Sequence, residues 1–281
     1  MPFILRRARP EDRQSIYDVE KSATPGLIYL PFVFDEFLAD ETGAFIVAET
    51  EDQLVGCGKF TLLPDGSAWL ETLRVMKAFQ GQGIGRLFYQ RFFELGREKS
   101  VPAMRMYTNI NNHASKGLAE QFGFAVAGTC LGQKMACQAG LVSSAPAGFV
   151  PVRDVEMAAS LLFSLREKWP GFMVLNRTFY AFNQALANFL VERGMLYHDA
   201  DGKNLVVLGA RFMPQQALHI GLMDGDYTAC LAFAMHLAAV KGVGSLQCLS
   251  PVGAKEAQAE MTRQGFQFEA SEFIVMGVDL A

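Results

Sequence analysis

The clearest chemical potential lies in the stretch from Val75 to Arg86, where Gln80, Gly81, Gln82, Gly83, Ile84 and Gly85 follow one another. Glycines at such a turn let main-chain N–H groups approach a ligand closely. A helix starting there adds about half a positive charge at its N-terminus, so the place suits a pyrophosphate. Two familiar phosphate turns do not fit. A dinucleotide fingerprint needs a third glycine where Arg86 stands and an acid about 20 residues on, and residues 101–110 hold none. A P-loop needs Gly-Lys-Ser/Thr, which is missing here.

Other reactive side chains offer less. The four histidines (His113, His198, His219, His236) lack metal-ligand spacing, so no metal is expected, and His236 in its apolar run reads as a core residue. The five cysteines (Cys57, Cys130, Cys137, Cys230, Cys248) form no C-x-x-C pair and suit buried free thiols in a reducing compartment. The apolar run Phe3–Leu5 is too short for a signal-peptide core. The run from Thr228 to Val240 falls short of the roughly 20 residues a membrane span needs. A cytoplasmic protein that does not enter a membrane is the expectation.

The elements around the glycine turn come in a definite order. The pattern predicts a strand over 4–8, helices over 10–21 and 34–38, a meander of strands over 44–49, 53–62 and 68–75 with a hairpin at Glu51–Asp52, and a helix after the turn. A strand over 103–107, a helix over 114–122 and a strand pair from Phe124 onward complete it. The turn thus joins a strand to a helix. Length supports more: 281 residues make about two domains. With 25 basic against 29 acidic residues there is no basic footprint for nucleic acid or anionic membrane.

The second half repeats the order of the first. Shifting by 142 sets Gly83 on Gly225, Lys99 on Lys241, Val101 on Val243, and Gly123–Phe124 on Gly265–Phe266. The expected domains are 1–138 and 149–281, divided where Ala, Gly, Ser and Pro dominate. The second half also holds fewer charges, 23 against 31 in residues 1–140. Some of its surface is therefore expected to pack on the first half or on a second copy in a homodimer.

The turn, with Gln80, Gly83 and Gly85 in Gln-x-x-Gly-x-Gly spacing, resembles the acetyl-CoA-binding motif of the GNAT acetyltransferase superfamily. So do the preceding strand Trp69–Val75 and the downstream stretch Asn112–Phe124. The resemblance implies an α/β fold with a mixed sheet, used as two tandem GNAT-like domains, and a reaction moving an acetyl group from acetyl-CoA to an amine of a small molecule or peptide. It also implies that the fourth and fifth strands part, that Leu73, Arg74 and Val75 pair with the pantetheine arm, and that Gln80, Gly81, Gln82, Gly83, Ile84, Gly85 and Arg86 cradle the pyrophosphate. Strand backbone suits an amide-rich arm, and a strand N–H near Leu73 could polarise the thioester carbonyl.

An alkyl amine has a pKa of roughly 10.4 and must lose a proton before attack. By the resemblance, Glu71 is the base; the alternatives are a solvent-facing strand residue or one that orients a cationic substrate. Many relatives protonate the leaving thiolate with a tyrosine five residues before the Phe of the Gly-Phe pair, which is Ala119 here. The Asn112–Ser115 pattern resembles the branch that acetylates ribosomal-protein N-termini, which makes Ser115 the acid candidate with Tyr107 behind it. Ser115 could instead only cap its helix. Asn112 is expected to bind the cofactor or hold the end of the fifth strand, and the run Leu27–Phe34 occupies the acceptor lip of relatives. In the second copy, Gln82–Gly85 becomes Asp224, Gly225, Asp226 and Tyr227, Asn112 becomes Ala254, and Ser115 becomes Ala257. That half reads as degenerate. A non-catalytic acyl-CoA-binding or regulatory module is the alternative function.

Overall fold

The computed structural model describes residues 3–51, 53–137, 148–169 and 171–280. The expected linker at 138–147 and Asp52 of the first hairpin lie outside the described residues. The first half runs β1 (Ile4–Arg7), α1 (Arg13–Ala23), α2 (Leu30–Ala39), β2 (Ala44–Glu49), β3 (Leu54–Leu62), β4 (Ala68–Val75), α3 (Ile84–Glu98), β5 (Ala103–Asn109), α4 (His113–Gln121) and β6 (Ala125–Ala136). The second half runs β7 (Val150–Pro151), α5 (Val155–Ser164), β8 (Phe172–Leu175), β9 (Thr178–Ala181), α6 (Gln184–Glu192), β10 (Leu196–His198), β11 (Leu205–Gly209), β12 (Ala217–Asp224), α7 (Tyr227–Lys241), β13 (Ser245–Pro251), α8 (Lys255–Arg263) and β14 (Gln267–Asp279). The order repeats element for element once the β8–β9 hairpin, inserted between two helices, is set aside.

Two expectations are corrected. The strand pair from Phe124 onward is one 12-residue strand, β6. The second helix begins at Leu30, with Pro31 in its first turn, where a missing N–H costs no hydrogen bond.

The chain forms two compact units whose bounds follow strand pairing. One takes residues up to Tyr107, Asn112–Ala125 and the end from Met276; the other takes Thr108–Asn111 and Val126–Val275. Strand β6 falls in the second unit because it pairs antiparallel with β13 from Cys130↔Pro251 to Ala136↔Ser245. The end of β14 falls in the first unit, where the Leu280 N–H donates to the Pro102 carbonyl at 2.9 Å.

In the first unit β1 to β5 lie side by side, antiparallel up to β4 and parallel from β4 to β5. Helix α3 buries Ile84, Phe88, Tyr89, Phe92 and Leu95, a spacing that keeps one face on the core. That face rides close on β3, where a Cβ at Gly58 would lie 3.0 Å from Phe92 and 3.1 Å from Phe88. Each buried phenylalanine contributes roughly 1.5–3 kcal/mol. On the other side α2 sets Phe34 and Phe37 edge-on to Phe45 of β2, at centroid distances of 6.0 and 5.6 Å. The first unit therefore has a firm layer on each face of the strands that carry the site.

Candidate active site

Strand β4 changes character halfway along. Its parallel pairing with β5 covers Ala68↔Met104, Trp69↔Arg105 and Leu70↔Met106 and ends there among the described residues. On the other edge, β3 pairs Lys59 with Glu71 and Cys57 with Arg74, so Thr72 and Leu73 together oppose Gly58. This is a β-bulge, and Thr72 takes a left-handed φ of 55°. Such a backbone costs of order 1–3 kcal/mol and persists where its surroundings hold it. Past Leu70 the strand therefore offers an edge that β5 leaves open, with main-chain groups re-aimed by the bulge. The expected parting of the fourth and fifth strands is thus present, at Leu70 and Met106.

Glu71 stands at the first position past that pairing, half-buried, and its Oε1 accepts a 2.6 Å hydrogen bond from the Thr61 hydroxyl on β3. Tyr107 follows the last paired residue of β5 directly. The pairing also sets Glu71 on the strand face shared with Lys59 and Cys57, toward α1 and α2. There Lys59, 1% exposed, donates to Asp40 and to the Phe60 carbonyl at 2.9 Å. Burial opposes ionisation of Asp40, but the Lys59 ammonium, Thr42 and the Gly43 N–H outweigh it and bring its pKa down to about 2. Burial pushes the Cys57 thiol up to about 12, which removes it as a nucleophile.

Glu20 of α1 is fully buried and accepts from the main-chain N–H groups of Tyr29 and Leu30, closing the start of α2. Burial raises its pKa, against the pull of Arg74. Sequence reasoning missed Thr61, Lys59 and Glu20, and assigned Arg74 for its backbone alone.

The glycine turn is built as its residue types require. Gly81 and Gly83 have φ of 78° and 86°, and a Cβ at either would meet nothing within 4 Å. Gly83 is the N-cap of α3, and no side chain caps that helix. Its first-turn N–H groups and positive dipole end are thus left for an anion. Both glutamines brace the turn: Gln80 donates to the Val75 carbonyl at 3.0 Å and Gln82 to the Ala78 carbonyl at 3.3 Å. Ile84 is buried, and Gly85 serves packing, since a Cβ there would sit 2.8 Å from Leu118 of α4. Arg86 donates to Gln121 at 2.9 Å. Of the residues assigned to the pyrophosphate, 81–86 can act through main-chain N–H groups, while these side chains hold the turn in shape.

Asn112 is the N-cap of α4, its Oδ1 accepting from the Ser115 N–H at 3.1 Å. The reading of Ser115 as the cap is corrected: Ser115 lies three residues inside and is the capped donor. Ala119 is completely buried.

The second unit repeats the parting of strands and closes it. Pairing of β12 with β13 ends at Ile220↔Cys248. Beyond it the buried Trp169 donates its indole N–H to the Met223 carbonyl at 3.0 Å, and Lys168 pairs with Asp224 at 2.8 Å. Asp226 caps α7 by accepting from Thr228 and Ala229, so its helix N-terminus is already satisfied by a carboxylate. Among the described residues no His/Cys/Asp/Glu group could hold a metal, and no helix is long and apolar enough to cross a membrane.

A parallel pair that parts at a bulge, with a glycine turn leading into an uncapped helix, is the arrangement that the resemblance drawn from the sequence implies. Residues 12–124 match the acetyltransferase (GNAT) family. It is 25% identical over 120 residues to a Bacillus subtilis (strain 168) protein named as a [ribosomal protein bS18]-alanine N-acetyltransferase, covering 42% of this chain and 78% of that one. A GCN5-related N-acetyltransferase from Sphaerobacter thermophilus superposes with a TM-score of 0.65 at 15% identity, covering 99% and 95% of the two chains. A tandem GNAT protein from the clavulanic acid biosynthesis pathway gives 0.60 at 13% identity, covering 100% and 99%. These two share its fold over the whole length.

Proposed function

We propose that the first unit transfers the acetyl group of acetyl-CoA to an amine of a small molecule or peptide, and that the second unit carries no working site. The observation that carries this reading is the open β4 edge past Leu70, leading through Val75 into the uncapped N-terminus of α3. One continuous stretch of chain thereby offers strand groups to an amide-rich arm and helix amides to phosphates.

Leu73, Arg74 and Val75 hold the pantetheine arm through their main chain, and the bulge aims an N–H at the thioester oxygen. Glu71, oriented by Thr61, takes a proton from the ammonium of the acceptor, directly or through water. The amine nitrogen then forms a bond to the acetyl carbon and the carbon–sulfur bond breaks. Ser115, or Tyr107 beside the strand opening, gives its proton to the thiolate and is restored by the second proton of the nitrogen through water, while the first leaves Glu71 for solvent. The products are an acetamide and the free thiol. Base catalysis contributes about 10²–10⁴-fold, with positioning of amine and thioester as the larger part.

The buried Ala119 favours a second reading, a module that binds acyl-CoA without turnover. The exposed apolar residues Leu27, Ile28 and Phe32 at the start of α2 support an acceptor with an apolar part. The buried thiols support work in a reducing, cytoplasmic compartment. Thiol release from acetyl-CoA across a panel of amines tests the proposal. Turnover lost in Glu71→Gln supports transfer, and binding without turnover supports the module.

A further inference from the structure

Arg74 is an unusual cation. It lies three residues after Glu71 on β4, beyond the bulge and opposite Cys57. Its neighbours in charge are Glu20 and Cys57, both influenced by its guanidinium. Yet Arg74 makes no ion pair among the described residues: its Nη1 donates to the carbonyl of Leu73 at 3.2 Å, and its Nε is buried without a partner. The Glu20 carboxylate, which feels the Arg74 charge, is held by the Tyr29 and Leu30 N–H groups and forms no ion pair with it. Next to it Thr72, 5% exposed, also leaves its Oγ1 without a partner. A half-buried guanidinium with an unsatisfied nitrogen is costly in a resting protein and calls for an acceptor from outside.

Register gives the surroundings. Glu71 and Arg74 are paired with Lys59 and Cys57, two positions apart on β3, so both belong to the strand face that α1 and α2 cover. Lys59 is engaged by Asp40, and Glu71 by the Thr61 hydroxyl. The face therefore presents an anion at Glu71 and, across the bulge, a cation at Arg74. A ligand complementary to it carries a positive group and a negative group a few bonds apart.

Resting on the transfer reading above, we infer that the acceptor is an amine bearing a carboxylate close to it, such as a free amino acid, with its ammonium at Glu71 and its carboxylate on Arg74. Guanidinium and carboxylate match as planar, bidentate partners, which Lys cannot reproduce. The exposed Leu27, Ile28 and Phe32 adjoin the Tyr29–Leu30 segment that Glu20 holds, which suits an apolar side chain on the acceptor.

The test compares L-leucine with isopentylamine, its decarboxylated counterpart, in thiol release and in binding to the protein saturated with CoA. The expected result is a kcat/KM at least tenfold higher for leucine. Arg74→Gln collapses that preference by raising the leucine KM, Arg74→Lys restores it only in part, and the acetyl-CoA KM stays within twofold. Equal turnover of the two acceptors overturns the inference and leaves acetyl transfer standing. An Arg74→Gln effect confined to acetyl-CoA also overturns it, assigning the side chain to the co-substrate. Binding of leucine over isopentylamine without any turnover supports the carboxylate site and contradicts the transfer reading. Binding of neither overturns the inference.

Discussion

The hydroxyl of Thr61 donates to Glu71 Oε1 at 2.6 Å, from the strand next to the one that carries the glutamate. The bond holds one carboxylate oxygen in a fixed direction. Thr61→Val is isosteric and removes only that constraint. It should lower kcat by about 10-fold with acetyl-CoA affinity unchanged, whereas Glu71→Gln should cost about 10²–10⁴-fold. Steady-state kinetics with titration calorimetry measures both, and an unchanged kcat in Glu71→Gln would remove the base assignment.

For the leaving thiolate there are two candidate acids at different places. Ser115 sits in the first turn of α4, and Tyr107 directly after the last β5 residue paired with β4. If Ser115 is the acid, Ser115→Ala lowers kcat by about 10²-fold while Tyr107→Phe changes it by less than threefold. A reversal of those two numbers would move the role to Tyr107.

Asn112 had two assignments, cofactor binding and strand support, and the structure adds a third, the helix cap. A lost cap costs about 1 kcal/mol. Asn112→Ala should therefore lower stability in urea by about that amount and leave acetyl-CoA affinity within twofold. A tenfold loss of affinity at unchanged stability would return the residue to the co-substrate.

Lys59 and Asp40 make a prediction about pH. Asp40 has a pKa near 2 in the folded protein, below the roughly 3.9 of an unfolded chain. Its contribution is therefore complete above about pH 4 and is lost as pH falls through 2. At pH 7 Asp40→Asn removes the carboxylate paired with the buried Lys59 and should destabilise by about 3–5 kcal/mol, while Asp40→Asn with Lys59→Met recovers most of that loss. Denaturant midpoints from pH 2 to 7 check it, and the single variant should lack the wild-type step below pH 4.

Much of this was legible because patterning and turn residues agree. Strands 44–49 and 68–75 come out to the residue, since alternation within them and turns at Pro64–Gly66 admit no other register. At the corresponding turn of the second half, the carboxylate of Asp226 seen in the sequence caps α7. Strand β6 is one strand where a pair was expected, and it runs straight through Gly128 and Gly132. Gly132 is there because a Cβ would run 2.5 Å from the Glu269 carboxyl carbon. The unit bounds escaped notice because they depend on which distant strand β6 joins, a choice that local pattern does not encode. In the candidate site, Glu71 and the glycine turn lie in one contiguous stretch and could be singled out. Thr61, Glu20 and the left-handed Thr72 could not, because their relation to Glu71 and Arg74 exists only once β3 and α1 are in register with β4.

The central claim is one working co-substrate site per chain, on the glycine turn of the first unit, with the second unit closed by Trp169 and Asp226. Calorimetric titration of the intact chain with acetyl-CoA tests it most directly. The account predicts a stoichiometry of one and no detectable binding in Gly83→Asp, where a carboxylate and a strained φ of 86° enter the turn. A stoichiometry of two, no binding by the wild type, or undiminished binding in Gly83→Asp would contradict it.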